Sequence, residues 1–366
     1  MISGFATSEG TEKFAQNSGI NPNNFKKFQN LTLSNVGIGT YLGDADARTD
    51  ELVTNAVKQS ITSGVNVVDT AINYRSQKAE RSVGKAISEL IQDGKILREQ
   101  IFLSTKNGYV TNDADVKLGF WEYVKEEYSQ KGVIQEGDVT SGYHCMTSTY
   151  LSDQLNRSLK NLGIDCVDLM YLHNAVEGQI KDISKEQFKE KLKSVFELYE
   201  QKRDEGKIKF YGMATWECFR VTNDNPQYLS LEETIDMAKK IGGEDHGFRF
   251  IQLPFNMYYD QALLGKTQQF GSTNISVLEA AVKSNIGVFT SVPLMQGRLL
   301  APGVMPEFGN MKPSLRALQF IRSAPGVLAP LVGQKSPDHV SENLEIFKIP
   351  PMAEDEFLAL VKNLTS

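Results

Sequence analysis

The 366 residues carry a net charge of −6, with 40 % apolar and 23 % charged residues, the balance of an ordinary soluble globular chain. That acidic balance leaves no basic footprint for nucleic acid, and no apolar run reaches the length of a membrane span. Cys145, Cys166 and Cys218 are odd in number and lack CxxC spacing, so neither a disulfide framework nor a zinc site is expected, and no other metal cluster is visible.

The first stretch, MISGFATSEGTEKFAQNSG, has no basic segment leading into an apolar core and does not read as a secretory leader, which makes the cytoplasm the default compartment. Residues 1–30, rich in Asn, Ser and Gly, read as a loose N-terminal arm. Leu31 to Thr40 begins as alternating residues and ends on Gly37 and Gly39. A dinucleotide fingerprint fails there because Gly43 comes one residue too late. The two glycines read instead as close backbone approach at a strand end.

Strands and helices then alternate. Leu52, Val53, Ala56, Val57 and Ile61 mark an amphipathic helix closed by Gly64. Residues 65–69 form a β-branched strand, followed by a helix over 78–92, a strand over 101–105, a helix over 149–162 and a strand over 167–172. Ser184 and Gln187 stand in capping-box spacing at the head of a helix to 205, and Ser276 and Glu279 repeat that spacing before a helix to 284. Further strands fall at 208–214, 248–253, 286–291 and 327–332, with helices near 229–241, 313–323 and 337–346. Ser336 suits an N-cap and Pro337 the first helical position. With GIGT as the first strand, eight strand–helix units result, which argues for a single-domain parallel (β/α)8 barrel over residues 31–366. A doubly wound sheet with additions is the alternative from pattern alone. The interval 107–147, rich in Phe, Trp and Tyr, is too long for a simple connection. It reads either as an excursion packing its own aromatics or as a wall at the reactive face.

In a parallel barrel the carboxyl ends of the strands share one mouth. Asp69 ends the second strand, Tyr74 lies in the loop after it, Lys106 ends the third and His173 the fourth. Singly, each has an ordinary reading: a turn former, a rim aromatic, a solvated lysine, a core histidine. Together they form a proton-handling set. A phenol with an ordinary pKa near 10 exchanges protons poorly at neutrality. A neighbouring lysine lowers that value, an aspartate balances the lysine, and a histidine can orient a carbonyl oxygen. His144 and His246 read as structural or surface histidines.

GTYLG (39–43), DTAINYRSQKAERSVGKA (69–86), FLSTK (102–106) and YLH (171–173) together resemble the aldo-keto reductase family over nearly the whole chain. The resemblance implies a (β/α)8 barrel, an extended NADP(H) bound without a Rossmann fingerprint, Tyr74 as general acid/base, Asp69 and Lys106 as its tuning pair, and His173 as substrate orienter. It also implies cofactor contacts at Gly39, Thr40, Asp69, Thr215, Gln252 and Ser291, then at Pro293, Leu294, Gln296 and Gly297 over the diphosphate. Gly333, Gln334, Lys335, His339, Glu342 and Asn343 correspond to the adenosine-binding segment. Lys335 is the candidate partner of a 2′-phosphate, favouring NADPH over NADH, and Tyr41 and Trp216 join Tyr74 and His173 at the substrate.

Departures from the pattern are specific. Arg75 and Ala79 stand where Gly and Ser are usual, Ala214-Thr215 replaces Ser-Asn after the fifth strand, and Ser291 replaces an aromatic after the seventh. Three functions fit: reduction of a small aldehyde or ketone, oxidation of an alcohol or sugar, or an NADPH-binding regulatory subunit of the same fold. The oligomeric state is left open.

Overall fold

The computed structural model describes residues 1–365. It begins with helix α1 (Ser8–Asn17) and an antiparallel hairpin of β1 (Phe25–Phe28) and β2 (Leu31–Ser34). The alternation follows with β3 (Gly37–Gly39), α2 (Ala47–Thr62), β4 (Val67–Asp69), α3 (Lys78–Gln92) and β5 (Phe102–Asn107). After a long excursion containing the short helix α4 (Phe120–Val124) come α5 (Ser148–Leu162), β6 (Val167–His173), α6 (Ala175–Gln179), α7 (Lys185–Asp204) and β7 (Ile208–Ala214). Next are α8 (Leu231–Gly242), β8 (Phe248–Pro254), α9 (Gln261–Leu264) and a small hairpin, β9 (Gln268–Phe270) with β10 (Thr273–Ile275). The chain closes with α10 (Val277–Lys283), β11 (Gly287–Ser291), α11 (Pro313–Ser323), β12 (Val327–Gly333), α12 (Pro337–Leu344) and α13 (Glu354–Thr365).

Strands β3, β4, β5, β6, β7, β8, β11 and β12 pair in parallel and close into a barrel, with β12 returning to β3 through Leu331 opposite Gly37. The expected (β/α)8 architecture is therefore the observed one. Gly37 shows why a glycine is needed there: a Cβ would lie 2.8 Å from Leu331 Cδ2 and 2.9 Å from Val67 Cγ1. Inward residues Val67, Phe102, Leu169, Phe250, Phe289 and Leu331 fill the interior, a packed core and not a pore.

Residues 1–30, expected as a loose arm, are ordered structure. Leu31 and Leu33 of the hairpin join the barrel's interior cluster, and Phe28 meets Phe250 edge-on at 5.1 Å. Asn66, just ahead of β4, accepts from the Ser34 amide at 2.8 Å and donates to Thr32 O at 2.9 Å. The hairpin thus plugs the amino-terminal end of the barrel, the end opposite the strand termini that carry the candidate residues. Ala6 N donates to Asp168 Oδ1 at 2.5 Å, and Asp168 is also ion-paired with Arg98 at 2.7 Å. These contacts tie the arm into the floor.

Asp46 caps α2 and Ser184 with Gln187 forms the expected capping box on α7. Ser276 caps α10 by accepting from Glu279 N at 3.2 Å. Ser336 stands at the N-cap of α12, but its side chain makes no capping bond. The 107–147 excursion fits both of its expected readings. Tyr123 and Tyr128 are buried and meet edge-on at 5.7 Å, while Tyr109 bridges back to His144 and approaches the mouth.

Candidate active site

Asp69 is the last residue of β4, Lys106 lies in the final turn of pleat of β5, and His173 is the last residue of β6. The parallel register sets these ends side by side, with Asp69 opposite Ser104 and Lys106 opposite Tyr171. Tyr74 sits on the turn after β4, its amide donating to Ala71 O at 3.1 Å. The chain brings all four together.

Lys106 Nζ forms an ion pair with Asp69 Oδ2, donates to Thr70 O at 2.8 Å, and lies 4.8 Å from the centre of the Tyr74 ring. The other carboxylate oxygen of Asp69 accepts from Ser104 Oγ at 2.7 Å and from Gln252 Nε2 at 3.1 Å. A buried charge pair holds only when its remaining hydrogen-bonding capacity is met, and here Ser104 of β5, Gln252 of β8 and the Thr70 carbonyl just past β4 meet it. The Tyr74 ring stands edge-on to Tyr41 at 5.0 Å and to His173 at 5.8 Å.

Burial opposes the charge on Lys106, yet the Asp69 carboxylate and the Tyr74 phenol outweigh it and hold the ammonium above its ordinary value. Burial likewise dominates at Tyr74 and raises its pKa, with Lys106 pulling down and Asp69 pushing up. The expectation that lysine lowers the phenol's pKa therefore holds for its contribution but not for the net direction, because desolvation is larger. At His173 burial comes first, then the Lys106 charge, and the imidazole is held well below its ordinary 6.5. It is a neutral ring at physiological pH, with Nδ1 buried and unpartnered.

His144, expected as structural or surface, is fully buried directly behind this cluster. Gln179 Nε2 bonds its Nδ1 at 3.0 Å, and an amide nitrogen can only donate. Nε2 therefore carries the proton and donates to His173 O at 2.8 Å. Burial drops its pKa to about 4, so the ring stays neutral. A Cβ on Gly108 would lie 2.5 Å from His144 Nε2, and one on Gly178 2.7 Å from its Cγ. Tyr109 closes the same corner, edge-on to His173 at 5.1 Å and to His144 at 5.3 Å. From sequence alone His144 reads only as structural or surface and Tyr109 is not singled out; its position three residues after Lys106 is the one available signal.

At the mouth, Tyr41 and Trp216 are exposed, at 57 % and 40 %. The Trp216 amide donates to Glu177 Oε1 at 2.8 Å, and its ring meets Tyr259 edge-on at 6.2 Å. Among the described residues no group of His, Cys, Asp and Glu could hold a metal ion, and no helix is long and apolar enough to cross a membrane.

The aldo/keto reductase family profile matches residues 35–303. This chain belongs to the aldo/keto reductase family. A putative voltage-gated potassium channel subunit beta from Schizosaccharomyces pombe is 23 % identical over 352 residues, covering 86 % of this chain and 85 % of that one. Aldose reductase C of Dictyostelium discoideum is 29 % identical over 93 residues, 25 % of this chain and 27 % of that one. The NADH-specific methylglyoxal reductase of Escherichia coli is 26 % identical over 151 residues, 39 % of each. These last two matches span well under half the length of the relatives. Among solved structures, an aldo-keto reductase from Bacillus halodurans in holo form superposes with a TM-score of 0.60 at 20 % identity, covering 92 % of this chain and 95 % of that one. One from Klebsiella pneumoniae in complex with NADP and acetate gives 0.60 at 20 % identity, covering 93 % and 95 %. They share the fold.

The remaining positions in this aldo/keto reductase divide into two groups. Near the strand ends, Gly39 closes β3, Thr40 Oγ1 donates to Asp69 O at 3.2 Å, and the Thr215 amide donates to Gln252 O at 2.8 Å. Gln252 gives its amide hydrogens to Asp69, and Ser291 ends β11 opposite Pro254. Beyond it the loop turns through Pro293 and Leu294, with Gln296 and Gly297 at φ 55° and 89° and the Gly297 amide on Leu294 O at 2.8 Å. The second group lies around the head of α12. Gln334 donates to Ser60 Oγ at 3.2 Å and accepts from Asn343 Nδ2 at 2.8 Å, just beyond Gly333. The Lys335 stem lies over Gly43, and His339 is exposed. Glu342 is already engaged by Ser314 Oγ at 2.5 Å and Lys312 at 3.3 Å.

An extended anionic dinucleotide fits these residues at its far end. Among the described residues Lys335 forms no ion pair, and the N-terminal amides of α12 are left without a side-chain cap. A helix N-terminus with a nearby ammonium favours an anion.

Proposed function

We propose that this protein is an NADP(H)-dependent oxidoreductase that reduces a small aldehyde or ketone. The observation that carries the reading is the buried Lys106–Asp69 pair set against the ring of Tyr74, beside a neutral His173. Gly39, Gln252 and Lys335 would help hold NADPH, which would supply the hydride for the carbonyl carbon. Tyr74 Oη gives its proton to the oxygen as negative charge develops there. Its raised pKa keeps the phenol protonated, which is the form a reduction needs. Lys106 stabilises the resulting phenolate, and Asp69 keeps Lys106 charged and in place. His173, neutral and braced from behind by His144, donates a hydrogen bond to the same oxygen. Tyr41 and Trp216 frame the substrate.

The oxidative direction needs the phenolate first, so the same raised pKa weakens the alcohol or sugar dehydrogenase reading near neutrality. Lys335 favours NADPH over NADH, and the cytoplasm is the compartment that this chemistry suits. The near full-length likeness to the fission-yeast protein, named a putative channel subunit beta, supports a second reading, a cofactor-binding subunit with little turnover.

Fluorescence titration with NADPH and NADH, followed by a panel of aldehydes, ketones and alcohols, separates these. Tight NADPH binding with consumption on a carbonyl is the expected result. Binding without consumption on any compound favours the subunit, and alcohol oxidation faster than reduction at pH 7 reverses the direction proposed.

A further inference from the structure

We infer that Arg75 is a positioning residue for Tyr74, acting through the ion pair of its buried guanidinium with the partly exposed Asp50; the inference rests on the reading of Tyr74 as the proton donor. The turn that carries Tyr74 is built from an unusual run. Arg75, Ser76 and Gln77 all have positive φ, at 49°, 50° and 75°. Left-handed backbone is costly for residues with a Cβ and persists only where the surroundings over-determine it. A glycine would adopt the Arg75 conformation freely. The chain instead carries an arginine there, and its side chain does something a glycine cannot.

The Arg75 side chain is 1 % exposed. It reaches Asp50 Oδ1, on the first turn of α2, at 2.7 Å and Ser82 Oγ, on α3, at 2.8 Å. Lys78 holds the other Asp50 oxygen at 2.9 Å and Asp115 at 2.9 Å. The far side of the turn is gripped by the excursion: Ala114 N donates to Ser76 O at 3.1 Å, and Gln77 Nε2 to Asn112 O at 3.2 Å. The three residues after Tyr74 are thereby pinned, Arg75 to two helices and Ser76 and Gln77 to a strap. The Tyr74 ring, by contrast, meets its neighbours mainly through edge-on and cation–π contacts with Tyr41, His173 and Lys106. Those contacts are soft in position, so the placement of the phenol depends on the backbone that carries it. The Arg75–Asp50 pair fixes that backbone on the side away from the substrate.

The test uses Arg75→Gly and Asp50→Asn in the full-length protein, with Ser82→Ala as a milder third variant. Arg75→Gly is compatible with the observed φ and is expected to fold. For it and for Asp50→Asn the expected result is a kcat lower by about ten- to a hundredfold, the scale of a small misplacement of a reacting group, with the NADPH dissociation constant unchanged. The alkaline limb of kcat/KM is expected to move upward, because the phenol loses part of its contact with Lys106. The groups facing that phenol are Lys106, Asp69, His173 and Tyr41, and none of them is altered. Ser82→Ala is expected to show the same changes in smaller measure. Variants that lose thermal stability but keep the wild-type kcat and alkaline limb would show the pair to be structural only and overturn the inference. Tyr74→Phe is assayed alongside: full turnover by that variant refutes the proton-donor reading itself, and this inference with it, whatever the Arg75 and Asp50 variants do.

Discussion

The mouth of the barrel and the Lys26–Arg322 seam at its floor bury cations in opposite ways. At the mouth, Lys106 meets a carboxylate, and Asp69 helps hold the ammonium above its ordinary value. At the floor, Lys26 donates only to the carbonyls of Arg322 at 2.7 Å and Val327 at 2.5 Å. Arg322 reaches only neutral oxygens, among them Asn24 Oδ1 at 2.7 Å and Gln319 Oε1 at 2.8 Å. Burial accordingly brings Lys26 down to about 8, with the Arg322 charge adding to it, and Arg322 down to about 9. Burial of a charge is unfavourable everywhere, but Lys26 and Arg322 meet no opposite charge, whereas Lys106 has Asp69 and Arg98, elsewhere in the floor, has Asp168. The floor uses its cations to staple the N-terminal hairpin and the segment before α13 to the barrel. The mouth uses its cation beside an ionisable phenol.

The largest effect is expected from breaking the pair at the mouth. Lys106→Met leaves Asp69 buried and unpaired and removes the stabilising charge from the phenolate. Turnover should fall by about 10²–10⁴-fold, the usual scale for lost acid–base assistance, and steady-state assays with NADPH check it. A loss under threefold would mean that the pair is structural.

At the floor, Arg98→Ala removes the partner of Asp168, whose carboxylate also holds Ala6 N and Leu103 N. Urea denaturation should show a loss of about 3–5 kcal/mol, typical of stranding a buried charge, while kcat of the folded fraction stays at the wild-type level. A kcat that fell with stability would join the two ends that the comparison separates.

Smaller still is the pH signature of Lys26. Its folded value, about 8, lies below the ordinary 10.5. Between those values the unfolded chain binds the extra proton, so this residue makes stability rise with pH across that window. Lys26→Met should remove that rise, as read from melting temperatures at pH 8 and 10, and an unchanged pH dependence would show the ammonium to be solvated. His173 gives the mildest effect: because its pKa is depressed well below 6.5, reductive kcat/KM should show no acidic limb near that pH. A limb there would mean that the imidazole titrates in the open.

The mouth was far more legible in the sequence than the floor. Asp69, Lys106 and His173 sit at or next to the ends of short apolar strands, with Tyr74 in the loop after the first of them, and strand-end position in a parallel barrel fixes convergence without any knowledge of contacts. The (β/α)8 fold followed from the same alternation. What stayed hidden depends on partners far apart in sequence. Gln252 bonds Asp69 across 183 positions and His144 bonds His173 O across 29, and neither pairing has a local pattern. The order of the arm was hidden because residues 1–30 are polar and rich in Asn, Ser and Gly. That order comes from the barrel: Leu31 and Leu33 of the hairpin are buried in its interior cluster and hold the arm against it. The positive φ of Arg75 was foreshadowed only by the glycine that is usual at its position. The upward net shift of Tyr74 required the burial to be known.

The most direct test of the central claim, that Tyr74 donates the proton under the control of Lys106 and Asp69, is single-turnover reduction of a carbonyl substrate by NADPH-loaded wild type and Tyr74→Phe. The account predicts that the variant binds NADPH as tightly as wild type and that its hydride-transfer rate falls by about 10²-fold or more. A Tyr74→Phe protein that reduces the substrate at the wild-type rate would contradict it.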